Sequence, residues 1–270
     1  MSTKIPAHFH THTTFCDGKA SAEELICTAL SLGFSAIGFS GHGYTPYDLR
    51  YCMKNTEGYI KEIQELKKKY EGKIEVYLGI EEDSRAPVER TKFDYVIGSC
   101  HYYEYGENLF PIDSNYDYFS HGIASYGNNA LLFAEKYYEH FCSYILERKP
   151  DVIGHFDLVT KFEEKYESRF LKNTDYLKMS EKYLKIALGA CSIFEVNTGA
   201  ITRGLRTSPY PFENLLHVLL KEGGRITISS DAHTAEGLDF HFKETAAMLR
   251  DIGFTKAYAL SGGKWESFSI

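Results

Sequence analysis

The sequence predicts an α/β protein whose parallel strands close into a barrel, with residues 1–270 forming one domain. Three observations carry that expectation. Short apolar runs alternate with amphipathic helical segments, a pattern that requires parallel pairing and right-handed crossovers. The length of 270 residues suits one barrel. Imidazole and carboxylate residues recur where the apolar runs end. Hydrophobic content is 43% with only 7 prolines, and neither repeats nor low-complexity linkers interrupt the chain, so one ordered body is expected. An open doubly wound sheet is the alternative architecture.

Residues 7–12 read as the first strand. Ser21 and Glu24 then form a capping box that opens a helix over 21–32, stopped by Gly33. A second strand over 35–40 leads to a helix over 57–70, where Ile60, Ile63, Leu66 and Tyr70 stand at helical spacing, and then to a third strand over 74–80. The fourth strand, 93–99, runs into a long tyrosine-rich loop ending near Gly127. A helix over 129–148 and a fifth strand over 151–154 follow, with Lys149-Pro150 between them. Helix 175–188 leads to strand 192–197, helix 212–221 to strand 225–229, and helix 240–251 to a candidate closing strand over 256–260.

Charge and composition exclude several functions. With 37 acidic against 30 basic residues the net charge is −7, and no Lys/Arg run offers a phosphate-backbone or membrane-surface footprint, so neither nucleic acid nor membrane is expected as a partner. Residues 1–7 lack an apolar signal core and no transmembrane-length apolar run occurs, which leads to an expectation of a cytoplasmic protein. The six cysteines include no C-x-x-C pair and fit reduced thiols. No glycine-rich nucleotide fingerprint follows any strand.

The 11 histidines require a reason. In a β/α barrel, function collects where strands finish. There stand His10, His12, His42, Glu81, His101, His155, Asp231 and His233, with Asp17 in the first strand-to-helix loop. Residues two apart on a strand share a face, so His10 and His12 can grip one ion, as can Asp231 and His233. Imidazole and carboxylate donors favour Zn, Mn or Fe, and a carboxylate such as Glu81 can bridge two ions. One histidine after a strand is usually a hydrogen-bonded core residue, but such residues at successive strand ends point to a metal cluster. His121, His140, His217 and His241 fall in predicted helices or loops and read as structural.

Through HTHTTFCDG at 10–18, SGHG at 40–43, GIEED at 79–83, GSCH at 98–101, IGHFD at 153–157 and SSDAH at 229–233, nearly the whole chain resembles the polymerase and histidinol phosphatase (PHP) family. GHFDLVTKF at 154–162 and FEVNTGAITRGLRTSPYP at 194–211 make it most similar to that family's monofunctional histidinol-phosphate phosphatases. The resemblance implies a distorted TIM-like (β/α)7 barrel holding three divalent ions. It places His10, His12, Glu81 and Asp231 on one ion, Glu81, His101 and His155 on a second, and Asp17, His42 and His233 on a third. Many members carry Asp two residues before the first ligand histidine, where this chain has His8, so His8-Phe9-His10 competes with His10-Thr11-His12 as the ligand pair.

The implied function is metal-dependent hydrolysis of L-histidinol phosphate in histidine biosynthesis, with a hydroxide bridging two ions as nucleophile and a small phosphate ester as the substrate. Arg203 and Arg206, after the sixth strand, are the candidate phosphate clamps, with Lys161 third. Glu81, Asp231 and His233 are the candidate catalytic groups, the last two as alternative proton sources for the leaving alkoxide. The loop over 102–126, with Tyr102, Tyr103, Tyr105, Tyr116, Tyr118 and Tyr126, is a candidate lid. Cys16 and Cys100 adjoin ligands but are not needed as nucleophiles. The competing readings are a phosphoesterase for another small monoester, an amidohydrolase-type metallohydrolase and a non-catalytic metal-binding module. An amidohydrolase would be expected to carry a bridging lysine where this chain has Ser99-Cys100-His101, and the acidic balance disfavours a nuclease.

Overall fold

The predicted alternation of strands and helices appears in the computed structural model, which describes residues 5–190 and 193–270. Strands β1 (Ala7–His8), β2 (Ala36–Phe39), β3 (Glu75–Asp83) and β4 (Tyr95–Ser99) are followed by a short antiparallel pair, β5 (Tyr102–Tyr105) and β6 (Asn108–Pro111). Then come β7 (Val152–Ile153), β8 (Ile193–Asn197), β9 (Arg225–Ser229) and a hairpin of β10 (Lys256–Ser261) and β11 (Lys264–Ser269). The predicted start of the sixth strand, Ser192, and Cys191 lie outside the described residues.

Seven strands form one parallel sheet in the order β1-β2-β3-β4-β7-β8-β9. The ring closes at its C-terminal end, where Thr11 forms a parallel bridge with Ala232. There the His12 N–H donates to the Ala232 carbonyl at 2.8 Å and the Ala232 N–H to the His10 carbonyl at 3.0 Å. The result is a distorted barrel of seven strands, two of them only two residues long.

Helices cover the outside: α1 (Ala22–Leu32), α2 (Thr56–Lys69), α3 (Tyr116–Ser125), α4 (Ala130–Arg148), α5 (Thr174–Leu188), α6 (Gly199–Thr202), α7 (Glu213–Lys221) and α8 (Phe242–Ile252). The capping box of α1 forms as the sequence predicts: the Ser21 N–H donates to Glu24 Oε2 at 2.7 Å and the Glu24 N–H to Ser21 Oγ at 3.3 Å. Gly33 closes that helix in the left-handed region at φ 66°.

Two expectations are corrected. The long tyrosine-rich loop is largely ordered as β5, β6 and α3, with Tyr103 stacked on Phe110 and meeting Phe133 edge-on. The candidate closing strand does not join the ring. As β10 it pairs with β11, and the hairpin plugs the N-terminal end of the barrel, packing Trp265 against Phe9 and Tyr95. Tyr95 crosses the barrel interior beside Gly38 and Gly79, where an added Cβ would come within 2.4 and 2.2 Å of the tyrosine, and its hydroxyl donates to the Phe9 carbonyl at 2.5 Å. The floor is therefore apolar and aromatic, and polar residues collect at the opposite end.

Candidate metal centre

Past β1 the regular strand alternation is not kept: His10 and His12 turn toward one centre, where both meet Glu81 Oε2, while His8 packs elsewhere. The His8 imidazole accepts from the Ser230 N–H at 2.9 Å, contacts Thr11 Oγ1 at 2.7 Å and packs against Phe242. Burial pushes its pKa down to about 3 and both ring nitrogens are already engaged, by Thr11 and Ser230, so neither is free to compete for an ion. The turn carrying Asp17 folds back on this segment, with the Gly18 N–H donating to the Thr13 carbonyl at 3.1 Å. A Cβ at Gly18 would lie 2.5 Å from the backbone of His12 and Thr13. Glu81 stands inside the long strand β3, and His42 is bridged to it by a parallel backbone contact. His101, His155 and the Asp231–His233 pair follow β4, β7 and β9, and Asp231 adopts a positive φ of 50°.

These elements bring all nine predicted donors together. Glu81 occupies the centre: Oε2 lies 2.8 Å from His42 Nδ1, 3.3 Å from His10 Nε2 and 3.6 Å from His12 Nε2. Its Oε1 lies 3.1 Å from His155 Nε2 and 3.3 Å from His101 Nε2. Asp231 Oδ1 is 3.0 Å from His12 Nε2, and Asp17 Oδ2 is 3.2 Å from His233 Nε2. Three overlapping groups have metal-ligand spacing: His12, Asp17, His42 and His233; His10, His12 and Asp231; and His42, Glu81 and His101. Among the described residues, His10 Nε2, His12 Nε2, Asp17 Oδ1 and Glu81 Oε2 are buried without a hydrogen-bond partner. Unpartnered donors of this chemistry, converging in one place, fit divalent cations.

The electrostatics agree. Burial alone would raise the Glu81 carboxyl, but His42, His10 and His101 hold it well below the usual range. Asp231 behaves likewise under Arg203 and His10, so both stay anionic. The Cys16 thiol is pushed up to about 11 by burial and the neighbouring Asp17, and Cys100 to about 12 by burial and Asp83, which leaves both protonated and unsuited to nucleophilic attack.

Two carboxylates that the sequence reading passed over orient the ligands. Glu195, in β8, accepts from His10 Nδ1 through Oε1 and from the His155 N–H at 2.9 Å through Oε2. The bond fixes the tautomer of His10 and leaves Nε2 free to face the cluster. Asp83 does the same for His101, accepting from Nδ1 at 3.1 Å. The available signal for Glu195 is a glutamate flanked by Phe194 and Val196 inside a buried strand.

A cavity of about 440 Å³ opens beside the cluster, lined by Arg203, Lys161, Asp48, Asp113, Tyr51 and Tyr102 among others. Arg203 reaches it with Nη2 3.1 Å from Asp231 Oδ2 and 3.2 Å from His233 Nδ1. Gly199 makes room, because a Cβ there would lie 2.7 Å from Arg203 Nη1 and 2.9 Å from Asp231 Oδ2. Lys161 also lines the cavity, its ammonium 2.9 Å from Asp113 Oδ2. Arg206 is a correction: its guanidinium is buried behind the wall, donates to Thr160 Oγ1 at 2.6 Å and stacks 4.5 Å over the Tyr210 ring, so it is a structural cation. Of the six tyrosines expected in a lid, Tyr102 alone lines this cavity. A wider groove of about 830 Å³ lies at the other end of the barrel, but no histidine lines it and its Lys67 is paired with Asp94.

A model of the PHP domain matches residues 8–198. The chain belongs to the PHP domain family. The PHP match takes in the donors from His10 to His155 and stops short of Asp231 and His233, which follow β9. A protein of Schizosaccharomyces pombe named as a probable histidinol-phosphatase is 29% identical over 96% of this chain and 90% of its own length. A Deinococcus radiodurans protein of the same name is 27% identical over 90% of this chain and 92% of its own. Among solved structures, histidinol phosphate phosphatase from Lactococcus lactis, complexed with zinc, L-histidinol and phosphate, superposes with a TM-score of 0.68 at 20% identity, covering 97% of this chain and 99% of that one. It shares the PHP barrel described above.

Proposed function

We propose that this PHP protein is a metal-dependent histidinol-phosphatase, hydrolysing L-histidinol phosphate to L-histidinol and phosphate within histidine biosynthesis. The observation that carries the reading is the convergence of nine imidazole and carboxylate donors, several unpartnered, on a cavity that also holds Arg203. Relatives named histidinol-phosphatase along nearly the full chain support the substrate. So does the rest of the cavity wall, where Asp48 and Asp113 offer negative charge to an ammonium and Tyr51 and Tyr102 offer ring faces to an imidazole.

Three divalent ions, Zn, Mn or Fe, fit the three overlapping donor groups. In the assignment that the family resemblance implies, His10, His12, Glu81 and Asp231 would hold one, Glu81, His101 and His155 a second, and Asp17, His42 and His233 a third. Cations held there would supply Lewis-acid polarisation of the phosphoryl group and would acidify water. The chain's own residues do the rest. Arg203 and Lys161 bind phosphoryl oxygens and neutralise their charge. Asp231 stays anionic and has no proton to give, so of the two candidate proton sources His233 is the one that serves the leaving alkoxide, and Glu81 holds the centre together through both oxygens. Residues 1–270 act as one domain in the cytoplasm. No helix among the described residues is long and apolar enough to cross a membrane.

Phosphate release from L-histidinol phosphate, measured beside a panel of other phosphomonoesters on protein with quantified metal, tests the reading. A strong preference for L-histidinol phosphate, lost in Glu81→Ala, is the expected result. Metal-dependent turnover confined to other esters would refute the substrate, and turnover of an amide ring but no ester would refute the reaction class.

A further inference from the structure

Tyr210 is only 2% exposed, yet among the described residues its hydroxyl has no hydrogen-bond partner. A buried hydroxyl left unpaired is costly, and native proteins keep few of them without a reason. The residue is held firmly. Its N–H donates to the Asn197 carbonyl at 2.9 Å and its carbonyl accepts from the Asn197 N–H at 2.8 Å. The Arg206 guanidinium lies 4.5 Å over the ring, and His155 meets the ring edge-on at 6.3 Å. Arg206 is itself fixed by Thr160, Ser208 and the Pro209 carbonyl. This rigid ring lines the same cavity as Arg203 and Lys161, next to a histidine that contacts Glu81.

We propose that the Tyr210 hydroxyl donates a hydrogen bond to a phosphoryl oxygen of the bound substrate, completing with Arg203 and Lys161 the non-metal part of the phosphate site. The inference rests on the phosphomonoesterase reading. Phosphoryl oxygens only accept hydrogen bonds, so an O–H without a partner is the complement they need. Burial pushes the phenol well above its usual range, against the pull of Arg206, so the group stays protonated and able to donate. A donor locked by paired backbone bonds and a stacked guanidinium needs no reorganisation when the substrate arrives.

Tyr210→Phe tests this, because it keeps the ring and its stacking and removes only the hydroxyl. Inorganic phosphate is the probe, with its inhibition constant and its effect on Tm measured beside kcat/KM for L-histidinol phosphate and p-nitrophenyl phosphate. The expected result is a fall in kcat/KM and a rise in the phosphate inhibition constant, each of roughly tenfold to hundredfold, with no loss of Tm in phosphate-free buffer. Unchanged phosphate inhibition would overturn the proposal. Unchanged inhibition together with a lower Tm would further assign the hydroxyl to an internal contact, such as the neighbouring Asp157, whose Oδ1 also lacks a partner. The function reading fails separately. A wild-type protein that turns over p-nitrophenyl phosphate but not L-histidinol phosphate refutes that substrate, while the phosphate and p-nitrophenyl phosphate data still decide the role of Tyr210.

Discussion

Replacing Glu195 by Gln should cost metal affinity although Glu195 is not among the proposed ligands. Four donors surround its carboxylate: His10 Nδ1 and Ser229 Oγ, the latter at 2.6 Å, on Oε1, and the His155 N–H and Asn197 Nδ2, both at 2.9 Å, on Oε2. A glutamine has one accepting oxygen, so its amide N–H₂ must face two of the four. Each buried donor left unsatisfied costs about 1–3 kcal/mol, which sets a loss of roughly 2–6 kcal/mol in stability. If the lost pair includes His10, the imidazole is free to rotate and its Nε2 no longer points at Glu81 and Asp231. Partners that orient metal-ligating histidines are typically worth roughly 10–100-fold in affinity, and that is the loss expected here. Competition against a fluorescent chelator reads the affinity, and thermal unfolding of the same sample reads the stability. A Glu195→Gln protein that holds metal within twofold of the wild-type affinity would refute the claim that this carboxylate orients the ligands.

Other perturbations separate the roles of neighbouring groups. Arg206→Met should lower stability by about 3–5 kcal/mol by leaving Asp157 uncompensated in the interior, whereas Arg203→Met should lower kcat/KM with little change in Tm; equal kinetic losses in the two variants would contradict the placement of Arg206 behind the wall. Asp113→Asn should reduce the preference for L-histidinol phosphate over p-nitrophenyl phosphate by about tenfold, measured as a ratio of kcat/KM values, and an unchanged ratio would remove Asp113 from substrate recognition. The Asp113 carboxyl, which burial would raise, is brought down to about 2 by Lys161 and His101, so its contribution to stability is full above its ordinary 3.8 and is lost as the pH falls toward 2; the variant should flatten that limb of an acid unfolding curve. Stripping metal with a chelator should lower Tm, at roughly 2–4 °C for each kcal/mol of lost binding energy, and readdition of Zn or Mn should restore it. Trp265→Ala should destabilise the barrel floor by less than the roughly 3–5 kcal/mol of a fully buried tryptophan, since Trp265 is half-buried, and a neutral result in denaturant unfolding would mean that the hairpin does not brace the floor.

The sequence by itself determined the barrel and its metal-binding end. Alternating apolar runs and amphipathic helices leave few topologies, and strand ends place residues such as His10, Glu81, His155 and Asp231 on one rim whatever the detailed packing. Local chemistry was equally legible in the capping box of Ser21 and Glu24, because a helix start is encoded within a few residues. What lay beyond reach depended on contacts between distant segments. Glu195 meets His10 from 185 residues away, and no local pattern tells a buried carboxylate that steers a ligand from one that misses it. Arg203 and Arg206 sit three residues apart with the same chemistry, yet a turn sends one guanidinium into the cavity and the other behind Tyr210. The last apolar run, residues 256–260, has the composition of a barrel strand and became a plug, because Thr11 and Ala232 had already closed the ring and Trp265 needed the floor. Side-chain type and spacing follow from the chain, whereas the direction in which a loop carries a side chain, and the partner that awaits it, are fixed only when the whole barrel packs.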